Sequence, residues 1–192
     1  RLNCRRQRQM CIRDSFGIQS RAGCTCAGPY GHRLLDIDPP TSERYREWVA
    51  RGCQGLKPGW CRLGFHYAMD DAEAGFIVDA VDFVAREGHR FLPFYDFDLE
   101  TGAWAHREAR NGGQRLCLEA ALSSAEVTVT ALPVEVRRAR YRQYLDEAAR
   151  RAEALPREGS ELHRLEDEAG DLQYFALPAS SYRQAPGEPE EA

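Results

Sequence analysis

One short segment of this chain combines a cation, a glycine and two thiols. It runs Arg21-Ala22-Gly23-Cys24-Thr25-Cys26. A guanidinium can hold a carboxylate through two parallel hydrogen bonds. A thiol beside a cation or a helix N-terminus has a lowered pKa, and its thiolate is the nucleophilic form. These residue types predict that Arg21 binds a carboxylate and that Cys26 is a candidate nucleophile.

Three more residues are candidates for lining the same site, namely Cys24, His32 and His66. Each also has a simpler interpretation, because free cysteines are most often small buried residues and histidines are often satisfied by structural contacts. A zinc site of Cys24, Cys26, His32 and Cys53 can be drawn, but Cys-x-Cys differs from the usual Cys-x-x-Cys spacing and no second matched pair follows. We therefore expect no metal.

Residues 61–67 alternate between apolar and polar side chains, which predicts a half-buried strand. On its polar face Arg62 precedes His66 by four residues. A structural salt bridge is the expected role of Arg62, and a surface or interface position is the simplest role for His66.

The segment around Arg21 resembles the C-terminal domain of the cysteine desulfurase branch of the class V aminotransferases, which use pyridoxal phosphate (PLP). That family has an arginine, a glycine two residues later, and then a cysteine before an alanine. Arg21, Gly23, Cys26 and Ala27 match this pattern. The resemblance implies that Arg21 binds the α-carboxylate of an amino-acid substrate and that Cys26 attacks the substrate sulfur.

The match has departures that bear on the reaction. Desulfurases usually have two histidines just before the cysteine, where this chain has Cys24 and Thr25. Aminotransfer, desulfuration and β-elimination therefore all stay open for the enzyme that the resemblance implies.

The resemblance also implies that the Schiff-base lysine lies in a larger upstream domain. Lys57 is the only lysine here, and it directly precedes Pro58 in a predicted loop. We expect PLP in the intact parent enzyme and none bound by this chain alone. The implied partners are an amino-acid substrate, the upstream PLP domain and a second protomer in a homodimer.

Composition limits the class of protein. The chain has 192 residues, 43% of them hydrophobic and 29% charged, which is typical of a globular protein. A net charge of -4 gives no reason to expect nucleic acid. No apolar run approaches the roughly 20 residues that cross a bilayer, so we expect no membrane partner and a cytoplasmic location. The seven cysteines are expected to be free thiols.

The first fifteen residues contain five arginines. They also resemble the peptide RQRQMCIRD that results when sequencing-adapter DNA is translated at the broken end of an assembled gene. They show no apolar stripe at helical spacing, so we expect residues 1–15 to be an artefact or disordered. A genuine basic arm that binds nucleic acid is the alternative.

The rest of the chain predicts an α/β fold, more specifically an α+β sandwich in which a short sheet is covered by helices. Residues 16–106 are expected to form the aminotransferase-like domain, 107–184 a helical extension, and 185–192 a disordered tail. Predicted helices cover 28–35, 42–51, 70–87 and 134–155. Predicted strands cover 16–20, 61–67, 91–94 and 172–177, with weaker elements at 116–122 and 127–132.

Two other classes of function are compatible with the sequence. One is a non-catalytic interaction domain that uses the aromatic segment at 91–104 and the long helix. The other is a small zinc-binding module that binds nucleic acid through residues 1–13.

Overall fold

The chain is described by a computed structural model, which covers residues 5–23, 28–108, 132–156 and 161–182. Over these residues the chain is a mixed α and β protein with two separate two-stranded antiparallel sheets. The helices are α1 (Arg5–Phe16), α2 (Gly28–Leu34), α3 (Pro39–Ala50), α4 (Asp71–Glu87), α5 (Val134–Glu153) and α6 (Asp167–Leu172). The strands are β1 (Arg21–Gly23), β2 (Trp60–Arg62), β3 (Tyr95–Phe97) and β4 (Trp104–His106).

Helix α1 lies against the core, which differs from the expectation that residues 1–15 lie outside the fold. Met10, Cys11 and Ile12 are buried, and the helix packs against α4 and the β1–β2 ribbon. The Gln7 side chain donates a hydrogen bond to the carbonyl of Ala176. These three apolar residues are consecutive, so they bury one side of α1 without forming a stripe with three- and four-residue spacing. The artefact origin inferred from the similarity to an adapter peptide stays a prediction.

Helices α2 and α3 confirm the two predicted helices of this region. Helix α3 begins earlier than expected, because Asp38 caps it: the Asp38 carboxylate accepts a hydrogen bond from the Thr41 amide at 2.7 Å. The two prolines that follow Asp38 occupy the first helical positions, where the missing amide protons cost nothing.

The β1–β2 ribbon corrects two sequence predictions. The strand expected at 16–20 is absent: Phe16 ends α1, and β1 covers Arg21–Gly23 instead. The strand expected at 61–67 is only Trp60–Arg62, and residues 63–66 have no strand partner among the described residues. Side-chain alternation was present over the longer stretch, but a strand extends only as far as its partner strand.

Helix α4 confirms the clearest sequence prediction. The Asp70 carboxylate accepts a hydrogen bond from the Glu73 amide at 2.9 Å, so Asp70 caps the helix. The apolar stripe of α4 is buried against α1 and against α5. Helix α5 confirms the helix predicted at 134–155. The face between α4 and α5 includes the Phe76 and Tyr141 rings, stacked with their centroids 4.4 Å apart.

The β3–β4 hairpin follows α4 after a 3₁₀ helix, Gly88–Phe94. The strand predicted at 91–94 is therefore wrong, because these residues belong to the 3₁₀ helix and β3 starts at Tyr95. The turn between the strands includes Gly102, which has a φ of 65°. Backbone amides of Gln54 and Gly55 donate to the carbonyls of Glu100 and Leu99, which fixes the hairpin loop to the segment before β2.

The C-terminal segment packs into the same core. The strand expected at 172–177 is absent, because α6 ends at Leu172 and the following residues have no ladder partner in the described part of the chain. Buried residues Leu165, Leu172, Phe175 and Leu177 join Phe97 in one apolar cluster. The predicted domain at 16–106 and the predicted extension at 107–184 therefore share a core.

Two predicted elements, at 116–122 and 127–132, lie almost wholly outside the described residues, as does the tail at 185–192. Among the helices that the structure describes, none has the length and apolar character needed to span a bilayer.

Candidate functional site

The candidate site centres on Arg21, which opens β1 with its side chain exposed. Its partner across the antiparallel ribbon is Arg62, the last residue of β2 and also exposed. Residues directly opposite each other in an antiparallel pair project from the same face, with Cα atoms about 4.5 to 5.5 Å apart. The ribbon therefore places the two arginines opposite each other on one face.

No carboxylate neutralises this pair within the part of the chain that the structure describes. The ion pairs there involve other arginines, and neither Arg21 nor Arg62 takes part in one. The salt bridge expected for Arg62 is thus not found among the described residues. Like charges opposite each other destabilise a ribbon, so an anion placed between them would remove a repulsion as well as gain two charge-assisted hydrogen bonds.

The same face of the ribbon continues with a glycine and an indole. Gly23 lies opposite Trp60, and each is two residues from one of the arginines. Both positions therefore lie on the same face of the ribbon as Arg21 and Arg62. A Cβ built on Gly23 would meet no atom of the described residues within 4 Å, so these residues leave the surface beside Gly23 open. A ligand carboxylate could reach the arginines while its apolar part lies over Trp60.

His66 does not occupy the position expected for it. The predicted strand would have put it on the same face as Arg62, but β2 ends at Arg62 and His66 lies exposed in the loop that follows. Its Nδ1 atom accepts a hydrogen bond from the Ala68 amide at 3.2 Å, and its ring lies against Tyr67. The contacts of His66 are thus within its own loop.

His32 is half-buried near the end of α2. Its Nδ1 atom lies 2.6 Å from the Ser42 hydroxyl, and its ring meets Tyr45 edge-on at a centroid distance of 6.2 Å. These contacts join α2 to α3. They assign His32 a structural role in packing the two helices.

Cys24 and Cys26 lie outside the described residues, so their predicted roles as site lining and nucleophile stay predictions. The described cysteines differ in exposure. Cys11 is buried, and burial, with a smaller contribution from Asp14, raises the pKa of its thiol to about 12. Burial also raises the pKa of Cys53. These two environments disfavour the reactive thiolate, while Cys61 is half-buried beside a cleft.

The single lysine, Lys57, ends a short 3₁₀ helix, and its carbonyl accepts a hydrogen bond from the Tyr174 hydroxyl at 2.9 Å. This places Lys57 at a packing contact between the segment before β2 and the C-terminal segment. Groups of three or more metal-ligand side chains are likewise not found among the described residues, which exclude Cys24 and Cys26.

Comparisons with protein-family models, with curated proteins and with solved structures found no match to this chain.

Arg62 is the residue that sequence reasoning missed as a binding group. The alternation pattern placed it correctly on a polar face, but only the pairing of β2 with β1 puts it opposite Arg21. The signal in the sequence was an arginine without an acidic residue nearby on its own strand.

Proposed function

We propose that this chain is the substrate-binding part of a PLP-dependent enzyme of the class V aminotransferase type, and that Arg21 binds the α-carboxylate of an amino-acid substrate. The observation that carries the proposal is the Arg21–Arg62 pair on the exposed face of the ribbon. Two adjacent guanidiniums without a carboxylate partner in the described chain form a site for an anion.

The chemistry divides between this chain and a part that lies elsewhere. PLP supplies the electron sink for reactions at the amino-acid α-carbon, and in this proposal an upstream domain holds it. Arg21 and Arg62 then hold the carboxylate and so fix the orientation of the α-carbon. The fold would be the small α+β domain of a fold-type I enzyme, and the intact parent a cytoplasmic homodimer.

Cys26 remains part of the proposal because it follows Arg21 by five residues, just beyond the end of β1. A short distance from the guanidiniums would favour its thiolate over its thiol. The proposal includes aminotransfer, desulfuration and β-elimination, and only desulfuration requires Cys26 as the nucleophile.

Carboxylate binding can be measured on the chain itself with N-pyridoxyl-L-alanine, which carries the carboxylate but no phosphate. Its α-carboxamide is the matched control ligand. By NMR titration we expect the acid to bind at least about tenfold more tightly than the amide, a difference of about 1.4 kcal/mol. The variants R21Q and R62Q should each remove this preference, while R142Q on the exposed face of α5 should keep it. Equal binding of acid and amide would contradict the proposal.

A second candidate function, a protein-interaction surface, is favoured by the loop after β2. Its Tyr67 side chain is 95% exposed and Phe65 is 57% exposed. Exposed aromatic residues are common at protein interfaces. Sedimentation of the chain over a range of concentrations tests self-association, and the variant F65S/Y67S should lower any dimer fraction. A chain that is monomeric at all concentrations would exclude this surface as a dimer contact.

A further inference from the structure

The arginine face of the ribbon continues, at the start of β2, into a cleft lined by aromatic rings. Trp60 belongs to both, because it lines the cleft and lies on the same face of the ribbon as Arg21 and Arg62. The other walls come from α1, the segment between α2 and α3, α3 itself and the C-terminal segment. The cleft has a volume of about 360 Å³, within the range of roughly 300 to 1,000 Å³ that is usual for small-molecule sites.

The spacing along the ribbon suits an amino acid with an aromatic side chain. Trp60 and Arg62 are two residues apart in β2, and a strand rises about 3.3 Å per residue, so their positions are about 6.6 Å apart. The ring of an aromatic amino acid lies at a comparable distance from its carboxylate. Gly23, opposite Trp60, has no side chain that would separate the two positions. One molecule can therefore place its carboxylate on the arginine pair and its ring at the cleft.

The walls of the cleft offer aromatic rings whose hydroxyls already have partners. The Tyr45 hydroxyl donates to the Leu172 carbonyl at 2.9 Å, and the Tyr174 hydroxyl donates to the Lys57 carbonyl at 2.9 Å. The two rings meet edge-on with centroids 6.2 Å apart. Together with Trp60 they form an apolar surface on which another ring can pack edge-on or offset.

A polar side chain would gain little in this cleft. Arg8 is the charged residue among the described residues of the lining, and it already takes part in another interaction. The remaining lining residues are apolar, aromatic, a glycine or a thiol. A charged or amide side chain would lose its hydration there without gaining a hydrogen-bond partner. The cleft therefore favours an apolar side chain, and its rings favour an aromatic one.

We propose that the substrate of the arginine site is an aromatic amino acid. Its carboxylate binds Arg21 and Arg62, and its ring lies in the cleft against Trp60. This inference rests on the proposed function, because it names the substrate class of the same site. The common aromatic amino acids contain no sulfur, so desulfuration would not be the reaction and Cys26 would not be needed as its nucleophile.

The first test compares N-acetyl-L-phenylalanine with N-acetyl-L-alanine by NMR titration of the chain. The acetyl group removes the charge of the amine and leaves phenyl as the one ring of the ligand. We expect the phenylalanine derivative to bind at least about tenfold more tightly, a difference of about 1.4 kcal/mol. Equal affinities of the two acids would overturn this inference, while a preference of the chain for N-pyridoxyl-L-alanine over its amide would still support the proposed function. Equal binding of N-acetyl-L-phenylalanine and its amide would overturn both.

The second test asks whether one molecule occupies the arginine pair and the cleft together. Cys61 lies in the wall of the cleft, so bound ligand should slow its alkylation by iodoacetamide, resolved by peptide mass spectrometry. We expect half-saturating N-acetyl-L-phenylalanine to protect Cys61 in the wild type and to protect it less in R62Q. Cys53 is also half-buried but does not line the cleft, so its rate should not change. No protection of Cys61, or protection that is unchanged in R62Q, would overturn the inference.

Two neighbouring leucines give a matched pair of variants that locates the ring. Leu35 lines the cleft and is 40% exposed, while Leu34 is 58% exposed and does not line it. The variant L35Q should lower the affinity for N-acetyl-L-phenylalanine several-fold and leave that for N-acetyl-L-alanine unchanged, whereas L34Q should leave both unchanged. An undiminished preference for phenylalanine in L35Q, or its loss in L34Q, would place the ring outside the cleft and overturn the inference.

Discussion

Arg137 of α5 binds Asp70, the residue that caps α4. The Asp70 carboxylate accepts one hydrogen bond from the Glu73 amide and another from the Arg137 guanidinium. The Asp70 side chain thus gives a backbone amide in the first turn of α4 a hydrogen-bond partner. It also connects the beginning of α5 to the beginning of α4. Both interactions favour the charged carboxylate, so the pKa of Asp70 is lowered, chiefly by the Glu73 amide and then by Arg137.

The lowered pKa of Asp70 predicts how the junction of α4 and α5 depends on pH. Because the folded pKa of Asp70 lies below the ordinary value of about 3.9, the ionised carboxylate stabilises the fold fully above about pH 3.9. This stabilisation is lost as the pH falls through the folded pKa. We expect D70N, which keeps a capping side chain, to melt a few degrees below the wild type at pH 6. The difference should shrink as the pH falls below about 3.9 and vanish once the pH is below the folded pKa of Asp70. The variant D146N on the exposed face of α5 should melt like the wild type throughout, and a pH-independent deficit in D70N would contradict the explanation.

Burial of α1 predicts that its apolar residues contribute to stability. Ile12 is 2% exposed, so I12A should lower the free energy of unfolding by about 2 to 5 kcal/mol. Leu162 is 62% exposed, and L162A should change it by about 0.5 kcal/mol or less. Urea denaturation measures both. An unchanged stability in I12A would mean that residues 5–16 do not belong to the stable fold, as their adapter-like sequence suggested.

Gly102 and Gly75 should respond oppositely to alanine. Gly102 has a φ of 65°, and a Cβ there would lie 2.9 Å from the Gly55 Cα atom. G102A should therefore destabilise the protein by roughly 1 to 3 kcal/mol. Gly75 lies within α4 with nothing within 4 Å of an added Cβ, so G75A should stabilise by roughly 0.5 to 1 kcal/mol. Thermal unfolding of the two variants checks the signs, and a stabilising G102A would be inconsistent with this hairpin geometry.

Gln173 links three backbone groups of the C-terminal segment. Its Oε1 atom accepts from the Leu165 amide at 2.9 Å, and its Nε2 atom donates to the carbonyls of His163 at 3.0 Å and Phe175 at 3.2 Å. Q173L should lower the free energy of unfolding by about 1 to 3 kcal/mol, because buried backbone groups lose their partners. Denaturant melts of Q173L and of Q143L, a variant on the exposed face of α5, give the comparison. Equal stability of the two would refute this role.

The long amphipathic helices could be predicted from the sequence because their signals are local. In α4 the cap at Asp70, the apolar stripe and Gly88 all lie within one segment, and the structure confirms its extent. The helix at Val134–Glu153 was predicted for the same reason. Each depends on interactions between residues only a few positions apart.

The strands could not be placed from the sequence, because a strand exists only where a partner satisfies its backbone. Alternation over 61–67 predicted a long strand, yet pairing with β1 limits it to Trp60–Arg62. The candidate site depends on the same pairing. The sequence by itself predicted a carboxylate-binding role for Arg21, and only the tertiary structure brought Arg62 opposite it, since the two are 41 residues apart and meet through the register of the ribbon.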